Sequence, residues 1–414
     1  MKNKVTIITN GYFPVPATMG GAVETLVENL VRENETGKNL DLTVFSCYDK
    51  EAEGIAQSLL ETKVEFVKIP GFVKRLDQLM FGMAKKILRK DGLSFKCIFQ
   101  RLYYAYKVAG AIRDNDYGKL VLENHPVLFR ILKLYKNDKK YENRYYFHLH
   151  NEVTKGHGCE TIMAKCSKVL GVSDYINGTF QDFLQRSGVK KEACSLQYAV
   201  LKNRVDRTRF TVQVSEEKKL QLREQYQIEK EDLVLLFTGR FSPEKGVREL
   251  LEAFRLVKNK NVKLLVVGGF FFGSGVMSPF EEEMQELAKS MKDRVRFTGY
   301  VDYAEIPCYY ALSDFVVIPS VWDDPAPLTV IETLTSGRPL ITTYSGGIPE
   351  YVDSGCSIVL RREEDLVQNL AEAIELLSED PVRRIGMGVC AANKTKDWTL
   401  ESYYLDFCKL LDEQ

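Results

Sequence analysis

The sequence predicts an α/β protein in which two doubly wound parallel sheets follow each other along the chain, each in its own domain. The chain has 414 residues, which is more than one ordinary hydrophobic core accommodates. Short apolar segments rich in β-branched residues alternate with helical patterns, as expected for βαβ units. The alternation pauses at residues 203–210 and a charged helical stretch, and it restarts at residue 232. We therefore expect a domain boundary near residues 200–212.

Ten segments read as strands. In the first half these are KVTIIT (4–9), DLTVFS (41–46), KLVLEN (119–124), RYYFHLH (144–150) and KVLGVS (168–173). In the second half they are DLVLLFTG (232–239), VKLLVVGG (262–269), RVRFTG (294–299), DFVVIPS (314–320) and PLITTY (339–344). Ligands of such sheets bind at the carboxyl ends of the strands, so the expected active site is the cleft between the domains. By the same reasoning FFFGSG (270–275) should lie near a ligand pocket.

The last segment, WTLESYYLDFCKLL (398–411), has the apolar spacing of an amphipathic helix. Its predicted buried face contains Leu400, Tyr403, Tyr404, Phe407 and Leu411.

Composition excludes several functional classes. Lys+Arg and Asp+Glu both number 57, so a net charge of zero gives no global attraction to nucleic acid. The nine cysteines are scattered, without a C-x-x-C pair, which argues against both a disulfide framework and a zinc site. No apolar run approaches the roughly 18 residues of a membrane span, and the N-terminus lacks the features of a signal peptide. These observations predict a cytoplasmic protein without a bound metal.

Residues 72–113 depart from this neutral balance. The segment carries ten Lys/Arg against two acids, interleaved with aromatic and aliphatic residues. Amphipathic helices of this composition bind anionic lipid headgroups, so peripheral contact with a membrane is one interpretation. The alternative is a solvated insertion whose apolar face packs on its own domain.

The densest candidate site is DDPAPLTVIETLTSGRPL (323–340). A buried-type strand precedes it, LTVIETLTSG reads as a helix, and Pro327 suits the first helical turn. The free amides of Leu328 and Thr329 would then face an anion such as a phosphate. Asp324 would lie in the loop at that helix start, and Glu332 about two turns further along. Alternatively, Asp324 only stabilises the helix dipole and Glu332 faces solvent.

Two further segments offer phosphate-binding groups. FTGRFSPEKG (237–246) places Arg240 at a strand end and Lys245 in a turn, where the two cations would neutralise a diphosphate without a metal. In the first domain, Gly20 and Gly21 precede a helix and would let the backbone approach an anion closely. Their spacing differs from the dinucleotide-binding pattern G-x-G-x-x-G.

Two of the four histidines lie in YFHLHN (146–151). His148 and His150 share one face of the predicted strand because alternate residues point the same way. His150 is nearer the crevice and suits contact with a reacting group, whereas His148 suits a buried supporting position. A core role for both is the alternative.

Together with SGGIPE (345–350), these motifs resemble the retaining GT-B glycosyltransferases of family 4, which use nucleotide sugars. The resemblance implies two Rossmann-like domains facing across a cleft. It assigns residues 1–205, joined by the helix 398–414, to acceptor binding. It assigns residues 206–397 to the nucleoside diphosphate sugar, with a UDP-sugar favoured.

The resemblance also implies roles for individual residues. Gly20 and Gly21 would lie under the donor diphosphate, and Arg240 and Lys245 would hold its charge. Asp324 takes the place of the first Glu of the family's E-x7-E motif, near the transferred sugar. Glu332 matches the second Glu, near the ribose, and His150 matches a histidine near the reacting centre.

Two residues depart from the family pattern. Asp324 is one methylene shorter than Glu, and Ala326-Pro327 replaces the usual Phe-Gly. Since proline has no amide, the sugar contact that the Gly amide can supply is missing here. Donor identity is therefore where this chain should differ.

The sequence thus predicts a hexosyltransferase-class enzyme that transfers a sugar to a saccharide or lipid-linked saccharide at the inner face of a membrane, as in surface polysaccharide synthesis. Two alternatives remain. One is a nucleotide-sugar epimerase, and the other is a non-catalytic nucleotide-sugar-binding subunit, suggested by Asp324 and Pro327.

Overall fold

The computed structural model describes residues 2–88, 97–189, 196–269, 278–363 and 365–413. The chain forms two compact units. Unit 1 comprises Met1–Lys202 and Leu400–Gln414, and unit 2 comprises Asn203–Thr399. The divisions fall after residues 202 and 399, whereas the sequence analysis placed them after residues 205 and 397.

Unit 1 contains a seven-stranded parallel sheet in the order β3-β2-β1-β4-β5-β6-β7. Its strands are β1 (Asn3–Ile8), β2 (Leu40–Cys47), β3 (Thr62–Val67), β4 (Lys119–Glu123), β5 (Tyr145–Leu149), β6 (Lys168–Gly171) and β7 (Gln197–Val200). The strand order reverses between β1 and β4, and such a switch point is where open α/β sheets bind ligands. Ile8 pairs with Leu122, so the carboxyl ends of these two strands lie at the same level.

The helices of unit 1 connect these strands. They are α1 (Ala22–Gly37), α2 (Lys50–Ala56), α3 (Gly71–Leu88), α4 (Ile98–Asp114), α5 (Phe129–Lys133), α6 (Asn137–Lys140), α7 (Glu160–Met163) and α8 (Asp174–Arg186). The final helix of the chain, α17 (Leu400–Asp412), also belongs to unit 1.

Helix α17 packs against α1. The Tyr404 hydroxyl donates to Asn34 Oδ1 at 2.6 Å and accepts the Asn39 amide at 3.2 Å. The predicted apolar face is confirmed, because Leu400, Tyr403, Tyr404, Phe407 and Leu411 are all buried. The end of the chain therefore completes the N-terminal unit.

Unit 2 contains a six-stranded parallel sheet in the order β10-β9-β8-β11-β12-β13. Its strands are β8 (Leu233–Thr238), β9 (Val262–Val267), β10 (Val295–Gly299), β11 (Phe315–Ile318), β12 (Leu340–Thr343) and β13 (Ser357–Leu360). Counted within the unit, this is the Rossmann order 3-2-1-4-5-6, with its switch point between β8 and β11.

The helices of unit 2 are α9 (Arg207–Phe210), α10 (Glu216–Gln225), α11 (Val247–Leu256), α12 (Pro279–Ala288), α13 (Ile306–Leu312), α14 (Leu328–Thr335), α15 (Leu366–Glu379) and α16 (Pro381–Lys394). The core of the unit lies between the sheet and α11 and α15, where Leu251, Phe254, Leu264, Val317 and Ile374 are fully buried. This packing fixes the loops that follow β8 and β11.

All ten predicted strands are present, and the sheets add β3, β7 and β13. Each added strand is an edge strand. Their residues are mostly half-buried, so they lack the continuous apolar run of a central parallel strand. Among the described helices, none combines the length and apolar character needed to cross a bilayer.

Candidate active site

In unit 2, the segments that follow β8 and β11 meet at the switch point of the sheet. A 3₁₀ turn, Pro243–Lys245, ends at Gly246, whose backbone is left-handed with φ of 73°. A Cβ at Gly246 would lie 1.9 Å from the carbonyl oxygen of Pro319. The Val321 amide also donates to the Glu244 carbonyl at 3.0 Å. Only glycine lets the turn lie this close to the end of β11.

This packing joins two of the predicted site residues. Lys245 Nζ lies 2.5 Å from Asp324 Oδ2, and the two side chains are 18% and 8% exposed. The ring of Trp322 is 5.7 Å from the same ammonium group. Lys245 is therefore not a free cation, since one of its three N–H groups is used by Asp324 and two remain for a ligand.

The loop that carries Asp324 is held by its neighbours. The Gly347 amide donates to the Asp324 carbonyl at 2.9 Å. Arg362 donates to Asp323 Oδ1 at 2.6 Å, and the Gly346 amide donates to the same oxygen at 3.1 Å. A Cβ at Gly346 would come within 2.4 Å of the Asp324 carbonyl oxygen. The backbone of residues 345–347 therefore packs closely against the loop that carries Asp324.

Helix α14 begins at Leu328, as predicted from LTVIETLTSG, but the predicted place of Pro327 in its first turn is wrong. Pro327 is the N-cap, with an extended ψ of 126°, and not a residue of the first turn. Its carbonyl accepts the first helical bond, from Val330, at 3.1 Å. No side chain caps this helix start. The amides of Leu328 and Thr329 are thus the first of the helix, as predicted, and they are available to an anion.

Glu332 is buried and not solvent-facing, which excludes that alternative. Its carboxylate accepts hydrogen bonds from the hydroxyls of Tyr303 and Tyr310, both at 3.0 Å. Burial raises the pKa of Glu332 to about 7, against the opposing effect of these two hydrogen bonds. The carboxyl group is held in one orientation by a pair of tyrosines that the sequence analysis did not identify.

A cavity of about 290 Å³ opens beside Glu332. It is lined by Thr238, Gly239, Arg240, Val267, Gly268, Gly269, Tyr300, Val301, Tyr303, Ile306, Thr329 and Glu332. The side chain of Arg240 is 63% exposed and lies 3.8 Å from Glu244. The cavity thus combines apolar walls with a cation at its rim and an acid at its base. The segment FFFGSG (270–275) lies outside the described residues.

In unit 1, Gly20 and Gly21 immediately precede α1, with φ of 75° and 109°. The side chain of Glu24 folds back onto this turn, so that a Cβ at Gly21 would lie 2.3 Å from Glu24 Oε2. Asn10, which follows β1, donates to Glu24 Oε1 at 2.9 Å. Glu24 is only 3% exposed. The sequence analysis missed this carboxyl group beside the two predicted glycines.

Burial raises the pKa of Glu24 to about 7, and the charge of Glu123 adds to this rise. Between pH 4.5 and about 7, Glu24 is therefore protonated in the folded protein and ionised in the unfolded chain. The resulting stabilisation is fully present below pH 4.5 and is lost as the pH rises to about 7.

We expect Glu24→Gln to remove this pH dependence. The difference in the free energy of unfolding, variant minus wild type, should increase by about 3 kcal/mol between pH 4.5 and 8. Urea denaturation across that range measures the difference, with Glu152→Gln, at an exposed carboxylate, as the control. A difference that does not change with pH would show that Glu24 is not buried as a neutral acid.

His148 and His150 share a face, as predicted, and both contact one further residue that the sequence analysis missed. His148 Nδ1 lies 3.1 Å from Glu123 Oε1, and His150 Nε2 lies 3.2 Å from Glu123 Oε2. All three side chains are buried. Burial lowers the pKa of His150 to about 4, so its imidazole is neutral at physiological pH.

The same three residues offer ligand atoms within 4.8 Å of one another, a spacing that could hold a metal ion. The ligand set, two histidines and one carboxylate, occurs in zinc and iron enzymes. The protonation of the ring nitrogens decides between a metal site and a hydrogen-bonded cluster.

The structure thus brings the predicted residues together within each unit. Unit 2 joins Lys245 to Asp324 and places Arg240, Thr329 and Glu332 on one cavity. Unit 1 places Gly21 against Glu24, and His150 against Glu123. The glutamates could have been suspected from their positions, since Glu24 lies in the first turn after the glycines and Glu123 ends an apolar strand.

The sequence of this chain is similar to those of known proteins. Residues 218–393, within unit 2, match the family model described as "Glycosyl transferases group 1". The chain is 25% identical over 357 residues to a Bacillus subtilis (strain 168) protein named as a glycosyltransferase, YtcC, covering 84% of this chain and 77% of that protein. It is 23% identical over 393 residues to spore coat protein SA of the same organism, covering 93% and 92%.

Solved structures show the same fold. Anabaena Alr3699/HepE in complex with UDP superposes with a TM-score of 0.69, covering 99% of both chains at 18% identity. The same protein in complex with UDP-glucose gives a TM-score of 0.68, covering 98% of this chain and 99% of that one, also at 18% identity.

Proposed function

The chain is a glycosyltransferase with the GT-B fold, and from that premise we propose that it transfers a hexosyl unit from a UDP-sugar to a saccharide with retained anomeric configuration, as family 4 enzymes do. The observation that carries the proposal is the cavity of unit 2, where Arg240, Thr329 and Glu332 surround a space at the switch point of the sheet. That HepE was solved with UDP and with UDP-glucose supports a uridine nucleotide as the donor.

The donor is proposed to bind along this cavity. Glu332, oriented by Tyr303 and Tyr310, would accept hydrogen bonds from the two ribose hydroxyls on the lone pairs that the tyrosines leave free. The apolar wall that includes Val301 and Ile306 would face the base. This places the diphosphate toward the start of α14, where the macrodipole favours negative charge.

The leaving diphosphate needs positive charge as its bond to the sugar breaks. Lys245 can donate to a phosphate oxygen while it still holds Asp324, because an ammonium group has three donors. Arg240 is free to move since its side chain is 63% exposed. Together with the amides of Leu328 and Thr329, these cations would stabilise the diphosphate, so we propose that no bound metal is needed. Gly20 and Gly21 would add backbone amides from unit 1.

Asp324 is proposed to orient the transferred sugar. Lys245 engages its Oδ2, which leaves Oδ1 for a sugar hydroxyl. Pro327 offers no amide, and the Ala326 carbonyl accepts a hydrogen bond from Asn203 at 3.3 Å. The sugar contact therefore depends on a short carboxylate in a rigid loop. His150, from unit 1, would contact the sugar or the attacking hydroxyl near the reacting carbon.

Slow hydrolysis of the donor tests this proposal without a known acceptor. Incubating the protein with UDP-glucose and chelator, and following the released sugar by NMR before it mutarotates, should show the α anomer first. First release of the β anomer would contradict retention. Donor binding with neither hydrolysis nor transfer would instead favour a nucleotide-sugar-binding subunit, and inversion at a ring carbon of the donor would favour an epimerase.

We further propose that the acceptor is lipid-linked and that unit 1 works at the cytoplasmic face of a membrane. On α3, the exposed residues Phe72, Leu76 and Leu79 follow helical spacing, with exposed Lys74 and Arg75 beside them. The buried residue Asp77 holds the start of α4 by accepting the amides of Phe99 and Gln100, both at 2.9 Å. One face of α3 is therefore bonded to α4, and the other face is exposed to solvent. Residues 89–96 of the basic segment lie outside the described residues.

Flotation with vesicles tests the membrane contact. Replacing Phe72, Leu76 and Leu79 by serine should weaken binding to vesicles containing anionic lipid at least about tenfold, because each inserted apolar side chain contributes roughly 1.5–3 kcal/mol. A matched control replaces Val382 and Ile385, which are more exposed on α16 than the three test residues are on α3, by serine. If wild type does not float at low salt, or if both variants behave alike, α3 is not the membrane contact.

A further inference from the structure

The buried cluster of Glu123, His148 and His150 in unit 1 has a defined arrangement of protons. Glu123 and His148 are fully buried, and His150 is 6% exposed. The two imidazole rings lie 4.1 Å apart between centroids. Each ring turns one nitrogen toward a different oxygen of the same carboxylate. One acid thus binds both histidines.

Hydrogen bonds of Asn124 fix the backbone on which the two histidines stand. Asn124 follows Glu123 with a left-handed backbone, φ of 59°. Its amide donates to the His148 carbonyl at 2.7 Å, and its Oδ1 accepts the His150 amide at 3.1 Å. The ends of β4 and β5 are therefore joined on both sides of the cluster.

The two outer ring nitrogens decide where the protons lie. Among the described residues, His148 Nε2 and His150 Nδ1 have no hydrogen-bond partner. A buried N–H without an acceptor is more costly than a lone pair without a donor, and such orphaned N–H groups are rare. The outer nitrogens should therefore carry lone pairs and the inner nitrogens, His148 Nδ1 and His150 Nε2, the protons.

This arrangement of protons does not fit a bound metal. An ion between the three residues would need lone pairs on the two inner nitrogens. Both protons would then move to the outer nitrogens, where metal-bound histidines normally have a carboxylate or carbonyl acceptor. No such acceptor is present among the residues that the structure describes.

We infer that Glu123 is a positioning residue: by accepting an N–H from each of two histidines, it fixes His150 in the Nε2–H tautomer, whose unprotonated Nδ1 is buried in this structure. In this tautomer Nδ1 can accept a hydrogen bond but cannot donate a proton. His148 supports the carboxylate from the other side in the Nδ1–H tautomer. The step from tautomer to catalysis rests on the proposed function, whereas the tautomers do not.

Nitrogen NMR of the full-length protein tests the tautomers directly. The chain has only four histidines, so long-range proton–nitrogen correlations can be assigned with single substitutions. Wild type, dialysed against chelator, should show protonated Nε2 in His150 and protonated Nδ1 in His148. The opposite protonation of either ring, or zinc at one equivalent per chain with both inner nitrogens unprotonated, would overturn the inference.

Glu123→Gln supplies the second test. A glutamine of the same shape accepts an N–H through its oxygen but donates through its nitrogen, so it satisfies only one histidine and the other must change tautomer. We expect kcat to fall about 10²-fold with the donor KM nearly unchanged, as for a mispositioned contact at the reacting centre. Glu152→Gln, just beyond His150, is the control and should change neither the spectrum nor kcat.

The possible results distinguish the tautomers of the two histidines from the catalytic role of His150. Lower stability of Glu123→Gln with both tautomers and kcat retained would show a merely structural role and overturn the inference. If the variant does not fold, the wild-type spectrum still decides. If no transfer or hydrolysis is found with any donor, the proposed function fails while the tautomers remain testable.

Discussion

Lys245→Met is expected to abolish most transfer and to destabilise unit 2 at the same time. The methionine leaves Asp324, whose side chain is 8% exposed, as a buried charge without its partner. Breaking such a pair from one side should cost about 2 kcal/mol or more in the free energy of unfolding. Loss of a donor to the leaving diphosphate should lower kcat/KM by roughly 10²–10³-fold. Urea denaturation and donor hydrolysis measure the two effects.

The double variant Lys245→Met, Asp324→Asn separates the two effects. Because the asparagine is neutral, the double variant should recover most of the lost stability, yet transfer should remain as low as in the single variant. Recovery of both would mean that the pair only holds the loop. Activity of the single variant within about threefold of wild type would exclude Lys245 from the donor site.

Gly246→Ala should have the largest effect on stability. Its Cβ would lie 1.9 Å from the Pro319 carbonyl oxygen, and the backbone must keep φ of 73° for Lys245 to reach Asp324. The main chain would have to separate from the end of β11. We expect a loss of at least about 3 kcal/mol in the free energy of unfolding.

Gly337→Ala is the matched control in the same unit. Gly337 has a similar φ of 65°, but the nearest atoms to its Cβ would be at an ordinary 3.5 Å. Only the left-handed backbone is then penalised, at about 1–2 kcal/mol. Equal losses in the two variants would show that the turn at Gly246 has room to move.

The sequence predicted the central strands better than the edges for a physical reason. Central strands of a parallel sheet are covered on both faces and appear as apolar runs, as in β8 and β11. Strand β3, TKVEFV, begins with two polar residues, ends with two apolar ones and is only partly buried. So short and mixed a segment has neither a continuous apolar run nor a strict alternation, so it was not identified.

The residues of the candidate site also divide into those with a local sequence signal and those without one. Lys245, Asp324 and Glu332 were identifiable because each lies beside a turn or helix start that has its own local signal. Glu24 and Glu123 were missed despite their positions at a helix start and a strand end, since their contacts with Asn10, His148 and His150 form only in the folded sheet. Pro327 was placed in the first turn of α14 and not at its N-cap because proline fits both positions.

The central claim is that unit 2 binds a nucleoside diphosphate sugar through Glu332, without a metal. Thermal shift with UDP, GDP, ADP and their sugars, in chelator, tests it on wild type, Glu332→Ala and the exposed control Glu379→Ala. We predict that UDP ligands stabilise wild type and the control, by about 2.7 kcal/mol at a hundred times the dissociation constant, and not Glu332→Ala. No shift with any nucleotide, or an equal shift in Glu332→Ala, would contradict the account.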